Sequence, residues 1–305
     1  MKNNQRQTLF RNETDERDLI TGTSLWEDAW KRLRKNNMAL ASGVILLCLG
    51  IICLFGPVIL GVFLGYDAHT QNLAYGPQPP SLRHPFGTDF YGRDLLTRVL
   101  IGAQVSLSVG FLAAMVAAFI GTIYGAVSSY SGGLIDSLMM RIVDILYALP
   151  YMFLVIILVT ILGKSLLLLF LALGAVGWLL TARVVRGQVM SLKEQDFVLA
   201  ARSLGTTSRG IIFRHLIPNT LGPVIVTFTL TVPSMILQEA FLSFLGLGVQ
   251  PPQPSLGSLI NDGANQMLVF WWTLVFPGGI MAIMLFALNF LGDGIRDALD
   301  PRMKT

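Results

Sequence analysis

Residues 39–64 read ALASGVILLCLGIICLFGPVILGVFL. The run carries no charge, and it exceeds the about 20 apolar residues that an α-helix needs to cross a ~30 Å hydrocarbon core. Everything before it, through residue 38, is polar and charged. The run is also too long for the h-region of a cleavable signal peptide, so it is expected to stay in the protein as a first transmembrane helix. That places residues 1–38 on one side of a membrane and residues 65–98 on the other.

Five further segments meet the same length test. The second span lies within the uncharged stretch Val99 to Ile135, near Ser106 to Val127. The third is Ile145 to Gly163, and the fourth Ser165 to Ala182. The fifth runs from about Asn219 to Leu245, and the sixth from about Leu268 to Leu291. The fourth is short, but Lys164 and Arg183 at its ends can snorkel to the interfaces. Composition agrees: of 305 residues 53% are apolar and 13% charged, against roughly 25% charged in soluble proteins. The expected fold is an all-α integral membrane protein of six transmembrane helices. Residues 99–305 form a core of five of them, with a cytoplasmic loop at 183–219 and a short tail.

Orientation follows from Lys and Arg, which favour the cytoplasmic side. With the N-terminus inside, 18 of the 22 basic residues fall in cytoplasmic segments and 4 outside. Both termini are therefore expected in the cytoplasm. The net charge of +4 comes from basic residues beside apolar spans. No separate basic domain exists, so nucleic acid is not an expected partner. Just before the first span, Ser24 to Lys35 reads SLWEDAWKRLRK. Leu25, Trp26, Ala29, Trp30 and Leu33 share one helical face, the mark of an interfacial amphipathic helix in contact with lipid.

The chemistry-bearing residues are sparse. Cys48 and Cys53 are five apart on a helix, about 140° in rotation, and read as small apolar residues. His69, His84 and His215 have no ligand spacing, so no metal is assigned. Gly163-Lys164-Ser165 resembles the end of a phosphate-binding P-loop, but the earlier glycine that such a loop needs falls at Leu158. No catalytic residues and no bound cofactor are assigned. Glu239 is the one ionisable residue inside the six spans as drawn. An intramembrane carboxylate either faces a pore or a subunit interface, or makes a structural hydrogen bond to a neighbouring helix. A single acid argues against a proton-coupled carrier, and the lack of a nucleophile–base pair argues against a membrane hydrolase. Gly61/Gly65 and Gly121/Gly125 have the spacing that permits close helix approach.

The loop between spans four and five has its own design. Lys193 to Leu204, KEQDFVLAARSL, favours a helix, and Gly205 stops it. Thr206-Thr207-Ser208 offers N-caps for a second short helix, Arg209 to Leu216. Ile217-Pro218-Asn219 then breaks that helix ahead of span five. Ala200 and Ala201 leave a shallow patch where another protein could approach closely.

Here the sequence resembles the permease subunits of bacterial ABC importers of the type I, MetI-like architecture. Ala200, Ala201, Gly205 and Pro218 match their cytoplasmic docking motif at the family spacing. Leu199 stands where that motif has Glu, and His215 and Ile217 stand at its Ile and Leu positions. Phe86-Gly87-Thr88-Asp89 with Gly92-Arg93-Asp94, Leu242 to Gly248 followed by Gln250-Pro251-Pro252, and Asn289 to Pro301 are similar to signatures of the oligopeptide/dipeptide/nickel permease C subunits, closest to the oligopeptide branch. The resemblance implies an ATP-driven importer in the bacterial inner (plasma) membrane. Its partners would be a homologous B-type permease, two ABC ATPase subunits that hold ATP and Mg, and an extracytoplasmic solute-binding protein. It assigns ATPase docking to Ala200, Ala201, Arg202, Gly205, His215 and Pro218. A dipeptide, nickel or other small-solute importer is the alternative within the class, and a self-contained secondary transporter the alternative outside it.

Overall fold

Asn36 and Asp94 begin the first two long helices by the same local device. Each side chain accepts the backbone N–H of the residue three further on, at 3.2 and 2.8 Å, which satisfies a donor that the helix end leaves free. A computed structural model describes residues 25–299. The charged arm up to Ser24, and Asp300 and Pro301 of the tail signature, lie outside the described residues. The elements are α1 (Leu25–Lys35), α2 (Asn37–Leu64), α3 (Leu95–Ser131), α4 (Gly133–Ala148), α5 (Tyr151–Leu162), α6 (Leu166–Leu192), α7 (Asp196–Ser203), α8 (Ser208–Gly210), a π-helical turn (Ile211–Leu216), α9 (Ile217–Asn219), α10 (Leu221–Phe244), α11 (Leu256–Ala264) and α12 (Trp272–Leu299). No strand is present among the described residues.

The centre of the bundle is the α3–α6 pair. Gly121 and Gly174 make the close approach possible: a Cβ on either would lie 2.6 Å from the facing helix, against Thr181 and Val116. Gly125 behaves likewise, so the Gly121/Gly125 spacing does bring two helices together. Gly61/Gly65 does not. Gly65 ends α2 in the left-handed conformation at φ 67°, and Gly61 faces no neighbouring helix. α10 packs on α3, and α12 on α2, α10 and α11. Gly294 near the end of α12 seats directly on Ala39 at the start of α2, so the two described ends lie on the same side. On the far side, Lys164 Nζ donates to Gly246 O at 3.2 Å, which joins the α5–α6 turn to the end of α10.

Among the described residues, five helices are long and apolar enough to span a membrane: α2, α3, α6, α10 and α12. The third expected span, Ile145 to Gly163, is not one straight helix. It crosses a 90° bend between α4 and α5, and only the bent pair together makes a sixth span. Pro150 is the cause. The residue before proline is driven out of the α region, and Leu149 is extended at φ −81°, ψ 141°. α5 alone, 12 residues long, rises only about 18 Å.

Besides α12, which continues past Leu291 to Leu299, two helices outrun their expected spans. α3 starts at Leu95 and so includes Arg98, and α6 continues past Ala182 to Leu192. The charges are neutralised in place. Arg183 pairs with Asp144 at 2.8 Å and Arg186 with Asp136 at 2.6 Å, both across to α4. The loop therefore begins at Lys193 rather than Arg183, and its first helix at Asp196. Pro218 does not break the chain before span five. The preceding π turn shifts the hydrogen bonding so that Ile217 N–H reaches Ile212 O. This widening relieves the clash that a proline ring makes with the carbonyl four residues back.

Candidate functional site

The 90° bend opens a cavity of about 630 Å³ between the α4–α5 corner, α6 and α10. Tyr147, Pro150 and Tyr151 line it from the corner, and Gly177, Leu180 and Val184 from α6. α10 contributes Thr227, Thr231, Ser234 and Gln238. These four are spaced 4, 3 and 4 residues apart, so they form one polar stripe on a helix. Thr227 and Thr231 hydroxyls donate to the carbonyls four residues back, at 2.8 and 2.7 Å. Gln238 Oε1 is buried and has no hydrogen-bond partner among the described residues. Tyr151 OH is fixed on Leu173 O at 3.0 Å. The site is a largely apolar chamber with a few oriented polar groups, the usual chemistry of a small-solute site.

The segment between α6 and α10 lies at the other end of the same two helices. It rests on its own apolar core of Val185, Val189, Val198, Ile211, Leu216 and Val224. Gly205 adopts φ 79°. Around it Thr206 N–H bonds to Ala201 O and Gly205 N–H to Arg202 O, at 3.1 and 3.0 Å. That paired pattern is the Schellman stop, which needs a residue in the left-handed region. Thr207 caps the next turn through Gly210 N–H at 3.2 Å. Ala201 is buried and Ala200 exposed, so only one of the pair is available to another protein. Arg202 lies over the Tyr130 ring, 5.8 Å from its centre. His215 is half-buried, and its carbonyl accepts from Asn219 at 2.6 Å. Pro218 is exposed. Leu204, beside the turn, is 86% exposed, and Phe197, Leu199 and Phe213 of the same segment are exposed as well.

Glu239 takes neither a cavity nor an outer-surface position in this conformation. It is 0% exposed. Ser106 and Ser243 hydroxyls donate to its two oxygens at 3.0 and 2.8 Å. In this conformation the carboxyl bonds to the neighbouring helix α3 through Ser106 and within α10 through Ser243.

The family described as binding-protein-dependent transport system inner membrane component matches residues 110–305. The chain belongs to this permease family. Residues 24–80 match a second family, the N-terminal TM domain of oligopeptide transport permease C. Similar proteins include the oligopeptide transport system permease protein OppC of Escherichia coli K12, 50% identical over 93% of each chain. The OppC of Bacillus subtilis is 43% identical, covering 92% of this chain and 91% of that one. The glutathione transport system permease protein GsiD of E. coli O6:K15:H31 is 39% identical, covering 92% and 91%. Among solved structures, a chain of the methionine ABC transporter MetNI in an inward-facing conformation aligns with TM-score 0.53 at 20% identity. It covers 68% of this chain and 96% of that one, and at this identity the likeness is one of fold.

The permease is thus a multi-pass, non-catalytic transport component that works with ATPase partners. Two features around the site leave no mark in the apolar runs. The polar stripe on α10 was legible as a helical period. The Asp136–Arg186 and Asp144–Arg183 pairs, 50 and 39 residues apart, carry no local signal.

Proposed function

We propose that this permease is one of two homologous subunits that form the pathway of a peptide importer in the bacterial inner membrane. Both termini lie in the cytoplasm, α7 docks to one of two ATPases, and the opposite side receives solute from a binding protein. The observation that carries this reading is that α6 and α10 form two walls of the cavity and also hold the α7 segment between them. A displacement of α7 by a partner is passed to the cavity walls through the small core around Val189, Ile211 and Leu216. The exposed Leu204, Leu199 and Phe197 give that partner an apolar surface. ATP then drives transport to the extent that the ATPase pair binds the two states of the permease pair differently.

Oligopeptides are the favoured solute, because relatives named for oligopeptide transport align over nearly the whole chain. A dipeptide solute is the second reading, supported by a B. subtilis dipeptide permease DppC at 46% identity. Co-expression with the second permease, the ATPases and the binding protein, followed by reconstitution into vesicles, tests both. ATP-dependent accumulation of labelled tetra- and pentapeptides is expected. Accumulation of dipeptides alone would select the second reading, and accumulation of neither would overturn the peptide assignment and leave nickel or another small solute. For sidedness, Gln71→Cys should label from outside in intact cells.

A further inference from the structure

The cavity lining on α10 ends at Gln238. The next residue, Glu239, turns about 100° around the helix and enters a different structure. It is fully buried, and no ion pair to it occurs among the described residues. Ser106 Oγ of α3 donates to Glu239 Oε2 at 3.0 Å and itself accepts the Leu256 N–H, the first amide of α11, at 3.0 Å. Ser243 Oγ donates to Oε1 at 2.8 Å and lies 3.4 Å from Ser255 Oγ, the N-cap of α11. The carboxylate is therefore one hydroxyl away from the start of α11, where the peptide dipoles favour negative charge.

The seat has no slack. A Cβ on Gly102 of α3 would lie 3.1 Å from the Ser255 carbonyl carbon, and one on Gly257 of α11 would lie 2.5 Å from Ala240 Cα of α10. α11 thus sits by its N-terminus in a groove between α3 and α10, on the side away from α7. A buried carboxylate that loses a donor has nothing to replace it, so the contact tends to be either whole or broken.

We infer that Glu239 is a positioning residue that pins α11 to α3 and α10 through Ser106 and holds the far end of the pathway shut when no solute is being delivered. This rests on the importer reading above. The polar stripe and the pin occupy consecutive residues of one helix, so a rotation of α10 that re-aims Gln238 also draws Glu239 off Ser106. Contact with solute on one face is coupled to closure on the other.

The test uses the assembled transporter in membrane vesicles without nucleotide, in a Cys48→Ala, Cys53→Ala background. Leu259→Cys places a thiol on the face of α11 that packs against Gly102, where Leu259 is 3% exposed. Its rate of reaction with a membrane-impermeant maleimide reports opening. Ser106→Ala and Glu239→Gln should each raise that rate about tenfold, the factor equivalent to ~1.4 kcal/mol of lost closure. The double variant should react no faster than the faster single. Ser243→Ala, which removes a donor within α10 and only the longer contact to Ser255, should fall between. ATP consumed per peptide imported should rise in the same order, a readout that a mere packing defect would not rank. Should Glu239→Gln not reach the membrane, Ser106→Ala decides alone, because it leaves α10 intact. A Ser106→Ala rate within twofold of the parent overturns the pin. Because labelling is scored without transport, a parent that imports no peptide yet shows this pattern sinks the peptide-importer reading and keeps the pin. Import with unchanged labelling sinks the pin alone.

Discussion

Arg186 grips Asp136 at two points, Nε to Oδ1 at 2.7 Å and Nη2 to Oδ2 at 2.6 Å. The pair fastens α4, which runs off at 90° from α5, to the α7-proximal end of α6. Ser128 adds a third donor to the same carboxylate. Two-point guanidinium–carboxylate contacts are among the stronger hydrogen bonds, although Arg186 is about one-third exposed, which weakens the pair by solvent screening. Asp136→Ala should therefore cost roughly 1–2 kcal/mol, below the upper range for bonds to charged groups, and should lower the thermal unfolding midpoint of the detergent-solubilised protein. The exchanged pair Asp136→Arg with Arg186→Asp should recover part of that loss. Recovery of none of it would show that the stability comes from Ser128 and packing instead.

Gln238 offers a prediction with opposite signs for stability and function. Its Oε1 is buried without a partner among the described residues, and an unmade hydrogen bond on a buried group costs roughly 1–3 kcal/mol. Gln238→Leu removes that cost at similar volume. Stability should rise or hold, while uptake in reconstituted vesicles should fall because the polar stripe loses its outermost member. A loss of both together would place Gln238 in the packing of α10 rather than in the pathway.

Features carried by a few adjacent residues are legible in the sequence; features carried by distant pairs are not. α2 is an uninterrupted apolar run, and burial of a spanning backbone in lipid leaves it little choice but a helix. Gly205 is a local stop, and its positive φ follows from its own lack of a Cβ. Pro150 is just as local, but an average over apolarity has no direction in it, so apolarity alone predicts a straight span through the bend. Arg183 and Arg186 looked like a helix end until Asp144 and Asp136 were beside them. Glu239 was recognisable as costly, yet its donor Ser106 lies 133 residues away, so its orientation was set by tertiary packing alone.

In the loop after α2, Asp67 accepts the Thr70 hydroxyl at 2.5 Å and the His69 and Thr70 amides at 3.0 and 3.2 Å. These bonds, the Thr70 hydroxyl foremost, hold its carboxyl below the ordinary Asp range. The sign follows directly. A lowered pKa in the folded state means that the turn is stabilised in full above the unfolded value near ~3.9, and that this is lost as pH falls through the lower, folded value. Hydrogen-exchange protection of the His69 and Thr70 amides, corrected for intrinsic rates, should decline on acidification below about pH 4 in the wild type. In Asp67→Asn it should be weaker at neutral pH and flat across the same range. A parallel decline in the variant would assign the acid sensitivity to another group.

The turn at Gly205 permits the cleanest separation of fold from function. A Cβ there would meet nothing within 4 Å, yet the backbone stands at φ 79°. The strain of a substitution is therefore conformational and not steric crowding. For a residue with a Cβ it is on the order of 1 kcal/mol or more, and greatest for a β-branched one. Gly205→Val should leave the spanning helices inserted, since none of their apolar runs is touched. It should turn α7, with Leu204 and Arg202, out of its present angle, because the Schellman bonds to Ala201 and Arg202 cannot form without a left-handed residue. Gly205→Asn, which tolerates that region better, should do much less harm. We expect Gly205→Val at near wild-type membrane abundance to lose most uptake and to recover less ATPase on co-purification, with Gly205→Asn between it and the wild type. Uptake, ATPase recovery and abundance must be measured on the same membranes. Wild-type uptake in Gly205→Val, or a loss explained wholly by missing protein, would remove the docking role from this segment.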